Sequence, residues 1–292
     1  MTADSAAAAG EQQEETVPRS ASADRGANSG ARAPDSEVLL SLRGISKHFG
    51  PVIALDSVDL DVPAGRITAL IGDNGAGKST LIKVIAGIHE SDHGALYWNG
   101  ERVHIRTPHD ATELGIATVY QDLALCDNLD IVANMFLGLE IESHGILNET
   151  PMELKARETL AGLSVTTVRS IRQPVGSLSG GQRQSVAVAR AIMGDAKLVI
   201  MDEPTAALGV TQTAMVLDLM RRLAASGIAV LVISHNLTDV FAVADRVAIL
   251  YLGRLVSAGQ ASDYDRLSAV EIMTTGDQSE RENGVGAPTT AA

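Results

Sequence analysis

The chain has 292 residues, and its 45% hydrophobic content is enough for a sizeable core in one large domain or two small ones. A formal net charge of -13 argues against a nucleic-acid binder, whose affinity comes from clustered lysine and arginine, and the single cysteine, Cys126, excludes a disulfide framework or a cysteine-based metal centre. No apolar run approaches the roughly 20 residues that span a bilayer, and the N-terminus lacks the basic start and apolar stretch of a secretory signal, so a chain in a reducing compartment without a membrane span is expected.

Residues 1–36 are rich in Ala, Ser, Gly and Glu and contain no aromatic residue, and residues 276–292 are polar with Gly, Pro and Thr. Neither stretch can bury enough surface to fold, so both are expected to be disordered tails around a domain at 37–275. From Val38 onward Leu40 and Leu42, then Val58, Leu60 and Val62, alternate with polar residues such as Asp59 and Asp61, the pattern of a half-exposed antiparallel sheet. Between these strands lies His48-Phe49-Gly50. Phe49, just before a Gly-Pro turn, reads either as a flat platform for an adenine ring or as a cover for the sheet edge.

The most informative stretch is Gly72-Asp73-Asn74-Gly75-Ala76-Gly77-Lys78-Ser79-Thr80, which follows the apolar run Ile67–Ile71 and precedes the helix-like Leu81, Val84 and Ile85. It fits G-x-x-x-x-G-K-[ST] in the context of strand, loop and helix that this pattern requires. Glycines let backbone N–H groups turn inward, and a helix starting at Gly77 or Lys78 aims its positive end at a polyphosphate. Lys78 supplies a mobile charge for the outer phosphates, and the Ser79 hydroxyl is suited to Mg²⁺.

His89-Glu90-Ser91-Asp92-His93 spells H-E-x-x-H. That zinc chemistry needs both histidines on one helix face, whereas here they lie between Gly87 and Gly94 with turn-forming residues, so no metal site is assigned. A strand at 95–98 with a turn at Asn99-Gly100 follows. Val119-Tyr120-Gln121 ends another strand, where Gln121 can reach a Mg²⁺ or a water. The following segment reads as mainly helical, with a capping box at Thr150-Pro151-Met152-Glu153 opening a helix to about Leu163, and another helix from about Gly181 to Met193. A helical lobe at about 123–193 is expected.

Leu178-Ser179-Gly180-Gly181-Gln182 opens the later helix, and its hydroxyl and glycines form either a second anion site, best reached by a second copy of the chain, or a helix cap. The apolar strand Leu198–Asp202 ends in Asp202-Glu203, with Asp202 suited to the Mg²⁺ shell and Glu203 to polarising an attacking water. A helix over 211–226 and a buried strand over 229–234 follow, and His235 stands at the end of that strand, placed to hydrogen-bond a terminal phosphate. Segments 247–252 and 254–258 form a closing hairpin.

In this order, Phe49, the 72–80 loop, Gln121, Leu178 to Gln182 in the form LSGGQ, Asp202-Glu203 and His235 resemble the ATP-binding subunits of ABC transporters, over about 38–272. The resemblance implies an α/β fold of the P-loop NTPase (RecA-like) type: a mostly parallel sheet with an antiparallel β subdomain and a helical lobe. It implies that two copies enclose two ATP molecules, each between one loop of Gly72 to Thr80 and the other copy's Ser179, Gly180, Gly181 and Gln182, with Mg²⁺ near Ser79, Gln121 and Asp202. It further implies permease subunits touching residues 123–138, an extracytoplasmic solute-binding protein in the same complex, and a place on the cytoplasmic face of the membrane. After Thr205 the usual S-A-L-D reads Ala206-Ala207-Leu208-Gly209, and this form is similar to importers of simple sugars such as ribose, xylose or fructose. A non-transport ABC-type ATPase acting on nucleic acid or ribosomes is the alternative; it would need basic surfaces, an inserted coiled coil or a second fused unit.

Overall fold

The computed structural model describes residues 38–163, 165, 168–206 and 208–277; the expected tail at 1–36, most of that at 276–292, and Ala207 lie outside the described residues. The chain opens with strands β1 (Val38–Phe49), β2 (Val52–Pro63) and β3 (Ile67–Ile71), then helix α1 (Lys78–Ile85), β4 (His93–Trp98), β5 (Glu101–Val103), α2 (Pro108–Glu113) and β6 (Ile116–Val119). Next come α3 (Ile131–Phe136), a small hairpin of β7 (Glu142–Ser143) and β8 (Ile146–Leu147), α4 (Glu149–Gly162) and α5 (Gly180–Ile192). The remainder is β9 (Leu198–Asp202), α6 (Val210–Ala225), β10 (Ala229–Ile233), α7 (Leu237–Val243), β11 (Arg246–Tyr251), β12 (Arg254–Gln260) and α8 (Arg266–Thr275).

Two sheets carry the fold. The larger runs β12-β11-β3-β10-β9-β6 and is parallel except for β12, while β2-β1-β4-β5 is antiparallel. Strands β3 and β10 are buried along their whole length, and the strand period of two sorts their side chains between two cores. Ile67, Ala69 and Ile71 of β3 pack into a core shared with α3, α4, α5 and α6, whereas Leu70 faces a second core built with α1 and the antiparallel sheet. In that antiparallel sheet Leu40, Leu42, Val58, Leu60 and Val62 are buried and Asp59 is exposed, the alternation expected of a sheet covered on one face.

Two features of the segment after β6 differ from expectation. The hairpin of β7 and β8 interrupts the helices, and α4 starts at Glu149 with Asn148 as its flanking residue, so Thr150 is not the cap. The cause is tertiary. The Arg172 guanidinium binds Glu149 and Glu153 on the first turns of α4, with Nε at 2.9 Å from Glu153, and also reaches Asp130, the cap of α3, at 3.1 Å. This cation rewards carboxylates in the first turn and extends the helix past its local cap signal.

Candidate functional site

Parallel register lines up the ends of the central strands. Ile233 of β10 pairs with Leu70 of β3 and with Asp202 of β9, and Val119 of β6 pairs with Met201 of β9. The residues that follow, Gly72 to Thr80, Glu203, His235 and Gln121, therefore emerge along one carboxyl edge, where ligands of such sheets collect.

The loop of Gly72 to Thr80 is wedged between β2 and the turn joining β11 to β12. A Cβ on Gly72 would lie 2.3 Å from the Leu250 carbonyl oxygen, and one on Gly77, whose φ is +106°, would lie 2.6 Å from that of Ala54. Only glycine fits at either point. Gly253 N donates to Ala76 O at 2.9 Å, Ala76 N to Asp73 O at 3.1 Å, and Asn74 N to Asp73 Oδ1 at 2.7 Å. Helix α1 then begins on Gly77 with no side-chain cap and no acidic residue in its first turn, so its first N–H groups are left to an external acceptor. Lys78 is buried, and its Nζ donates to Gly72 O at 2.8 Å and Asp73 O at 3.0 Å. Burial lowers its pKa, while the charges of Glu203, Asp73 and Asp202 act the other way. An uncapped helix start beside a buried ammonium fits the phosphates of a nucleotide. Gly75 and Ser79 are exposed, and Thr80 is half-buried.

Asp202 is half-buried. Burial first, and then the neighbouring Glu203 charge, push its pKa above the ordinary carboxylate value against the pull of Lys78 and Lys83. A carboxylate in that state is stabilised by an added cation, and with the exposed Ser79 hydroxyl and the exposed Gln121 amide it offers the sparse oxygen set that suits Mg²⁺. Glu203 adopts a left-handed backbone with φ +48°, held by a hydrogen bond from its N–H to Ile233 O at 2.9 Å. Such a conformation in a non-glycine residue costs energy and is a mark of functional sites. Its carboxylate lies 2.8 Å from His235 Nδ1. An ionised carboxylate only accepts, so Nδ1 carries the proton of this bond. The Glu203 side chain is 16% exposed and that of His235 67%, so the pair is half sheltered and half open.

Phe49 sits at the tip of the β1–β2 hairpin, 43% exposed, with the His89 ring edge-on at 5.3 Å and Lys47 Nζ 5.6 Å from its centre. His93 opens β4 while His89 lies in the preceding turn, so the two do not share a helix face. Ser179 is exposed and caps α5, accepting from Gln182 N at 3.4 Å while its own N–H donates to Gln182 Oε1 at 2.9 Å. Gly181 is buried. A Cβ on Gly180 would lie 2.6 Å from Leu208 Cδ2, and one on Gly181 3.3 Å from Gln212 Cβ. Both glycines thus press on the start of α6, so their packing need lies inside this chain. The structure gathers Lys78, Asp202, Glu203 and His235, whereas Gly180 and Gly181 press on the start of α6 and Ser179 caps its own helix.

The sequence marks Glu203 and His235 as separate candidates; their direct contact follows only from the β9–β10 pairing. Sequence reasoning missed Gln212, whose side chain packs on Gly181 and accepts from Gly209 N at 3.3 Å. Its position three residues after Gly209, where a capping partner belongs, was the available signal.

Residues 55–206 match the ABC transporter family. This chain belongs to the ABC transporter family. It is 46% identical over 253 residues to the fructose import ATP-binding protein FrcA of Rhizobium meliloti, covering 84% of this chain and 97% of the relative. It is 44% identical over 237 residues to the xylose/arabinose import ATP-binding protein XylG of Sulfolobus acidocaldarius, covering 81% and 94%. Among solved structures, the ADP conformation of MJ1267, an ATP-binding cassette of an ABC transporter, superposes with a TM-score of 0.71 at 28% identity, covering 85% of this chain and 99% of that one. The α/β P-loop fold is that of an ABC ATPase, and the chain is an ATP-binding, ATP-hydrolysing member of the family.

Proposed function

We propose that this chain is the ATP-hydrolysing subunit that powers uptake of a monosaccharide through a membrane permease. The convergence of Lys78, Asp202, Glu203 and His235 on one sheet edge carries the reading, and the import proteins it resembles support the solute class. The body of the protein is the domain at 37–275, with its helical lobe at about 123–193 and residues 123–138 facing the permease. In this reading the loop from Gly72 to Thr80, including Asp73, Asn74, Gly75 and Ala76, cradles the phosphates of ATP, and Phe49 takes the base. Ser179, Gly180, Gly181 and Gln182 of a second copy close over the same nucleotide. Glu203 orients and deprotonates the attacking water, and His235 fixes the carboxylate through the 2.8 Å contact. Ser79, Gln121 and Asp202 are the residues that would hold Mg²⁺, which when bound neutralises phosphate charge as a Lewis acid.

Work is extracted by differential binding: ATP stabilises the closed pair and ADP does not, and the helical lobe passes the change to the permease. No helix among the described residues is long and apolar enough to cross a membrane, which suits a subunit docked on the cytoplasmic face, with a solute-binding protein delivering the sugar from outside. Glu203→Gln tests the cycle. It should form a dimer on gel filtration only when ATP is present; a monomer at saturating ATP overturns the two-copy site. The solute class is tested by purifying the chain with its partners from native membranes and assaying ATP hydrolysis against a panel of monosaccharides. Absence of stimulation by every sugar would remove that part.

A further inference from the structure

The turn that links α1 to β4 touches the aromatic hairpin tip at several points. Asp92 Oδ1 pairs with Lys47 Nζ at 2.8 Å, and Asp92 Oδ2 accepts from His48 N at 2.6 Å and lies 3.1 Å from His48 Nδ1. Asp92 N donates to Ser46 O at 2.9 Å, and His89 stands at 70° to the Phe49 ring. At its other end the same turn is tied to the phosphate-side helix, since Ile88 N and His89 N donate to Lys83 O at 2.8 and 3.1 Å. Residues 88–92 therefore run from the last turn of α1 to the residues flanking Phe49 with a hydrogen bond at each end. We propose that Asp92 is a positioning residue for the nucleobase, and that this turn, with His89 against Phe49, sets the separation between the base platform and the loop that takes the phosphates. The stretch that imitates a zinc motif is on this account a spacer between two subsites of one ligand.

The geometry leaves Phe49 with few ways to move. It follows two residues clamped by a single carboxylate, and its ring is braced by His89. The hydrogen bond from Lys47, followed by that from the His48 N–H, lowers the Asp92 pKa to about 2, so the clamp stays ionised at any ordinary pH. Stacking on an aromatic face depends on ring placement, and a platform free to turn loses much of it.

The proposal rests on Phe49 taking the base, and the test separates the two. The full-length protein and its Asp92→Ala, His89→Ala and Phe49→Ala variants are titrated by calorimetry with ATP and with inorganic tripolyphosphate, which has no base, both in EDTA. Phe49→Ala should weaken ATP about tenfold, the loss of one base–aromatic stack. Asp92→Ala and His89→Ala should weaken ATP about threefold or more, through misplacement of the ring, with tripolyphosphate unchanged. If these two variants lose ATP and tripolyphosphate equally, the turn acts on the phosphate loop or on folding and the proposal fails. If Phe49→Ala weakens ATP while both turn variants bind normally, the platform stands and the proposal falls. If Phe49→Ala binds ATP normally, the platform reading fails and takes the proposal with it. Should Asp92→Ala not fold, Asp92→Asn and His89→Ala give the same readout.

Discussion

The carboxyl edge of the parallel sheet and the start of α5 carry the two most specific sequence signals in the chain, and they are built differently. At the sheet edge the groups meet one another: Glu203 bonds His235, Lys78 lies within the field of Asp202 and Glu203, and Glu203 N–H reaches across to β10. At α5 the groups turn on themselves. Ser179 caps its own helix and the two glycines fill against Leu208 and Gln212. The first region has an internal reason for each side chain. In the second, internal packing accounts for the glycines, and Ser179 is exposed at the cap of its own helix.

The largest expected effect comes from breaking the first region. Lys78→Ala removes a buried ammonium, and MgATP affinity measured by calorimetry should fall by more than about thirtyfold; retention within a few-fold would displace the loop from the centre of the site. Glu203→Gln should lower steady-state phosphate release by about 100- to 10,000-fold, the range of a general base, with ATP still bound. His235→Ala removes the contact that orients Glu203 but leaves the carboxylate itself, so its turnover should lie between that of Glu203→Gln and the parent protein.

A mixing experiment sharpens the contrast. Lys78→Ala and Ser179→Arg chains, the latter altered at an exposed position, should each be inactive alone, yet recover ATPase activity when combined, because one of the two sites in a mixed pair keeps an intact loop and an intact α5 start. No recovery would mean that both regions serve a single chain.

The smallest effect is electrostatic. The Asp202 pKa is raised in the fold, so the folded state binds this proton more tightly than the unfolded one, and stability is lost as pH rises from the ordinary carboxylate value through the raised one. Asp202→Asn should therefore raise the Tm of the nucleotide-free protein at neutral pH by about 1–3 °C. That gain should vanish in acid, below the ordinary carboxylate value; a lower Tm at neutral pH would contradict the direction assigned to Asp202.

How much of this was legible in the sequence depended on range. Strand periodicity announced both sheets, and the loop at 72–80 announced its own surroundings, because glycine, lysine and serine act within nine residues. Pairing partners were not legible. That β9 and β10 are neighbours, and so that Glu203 meets His235, is a property of strand order. The start of α4 was misjudged for a related reason: the local signal at Thr150 was overruled by Arg172, some twenty residues later, drawing Glu149 and Glu153 together. At α5 the sequence left open an anion site or a helix cap; the cap is formed by Ser179, and Gly180 and Gly181 pack against the side chains of Leu208 and Gln212.

The wedging of the phosphate loop bears on how the protein is made. Strand β3 and the loop after it are synthesised early, but their walls are late: β10 and β11 flank β3, the Leu250 carbonyl crowds Gly72, and Gly253 N–H holds Ala76. At roughly 5–20 residues per second a ribosome needs on the order of ten to forty seconds to get from the loop to those residues. For that interval the nascent chain carries a complete nucleotide-binding motif that has no pocket. Competence for ATP should arrive in one step as the last hairpin leaves the exit tunnel, so a ribosome stalled before residue 246 would display the motif without the activity.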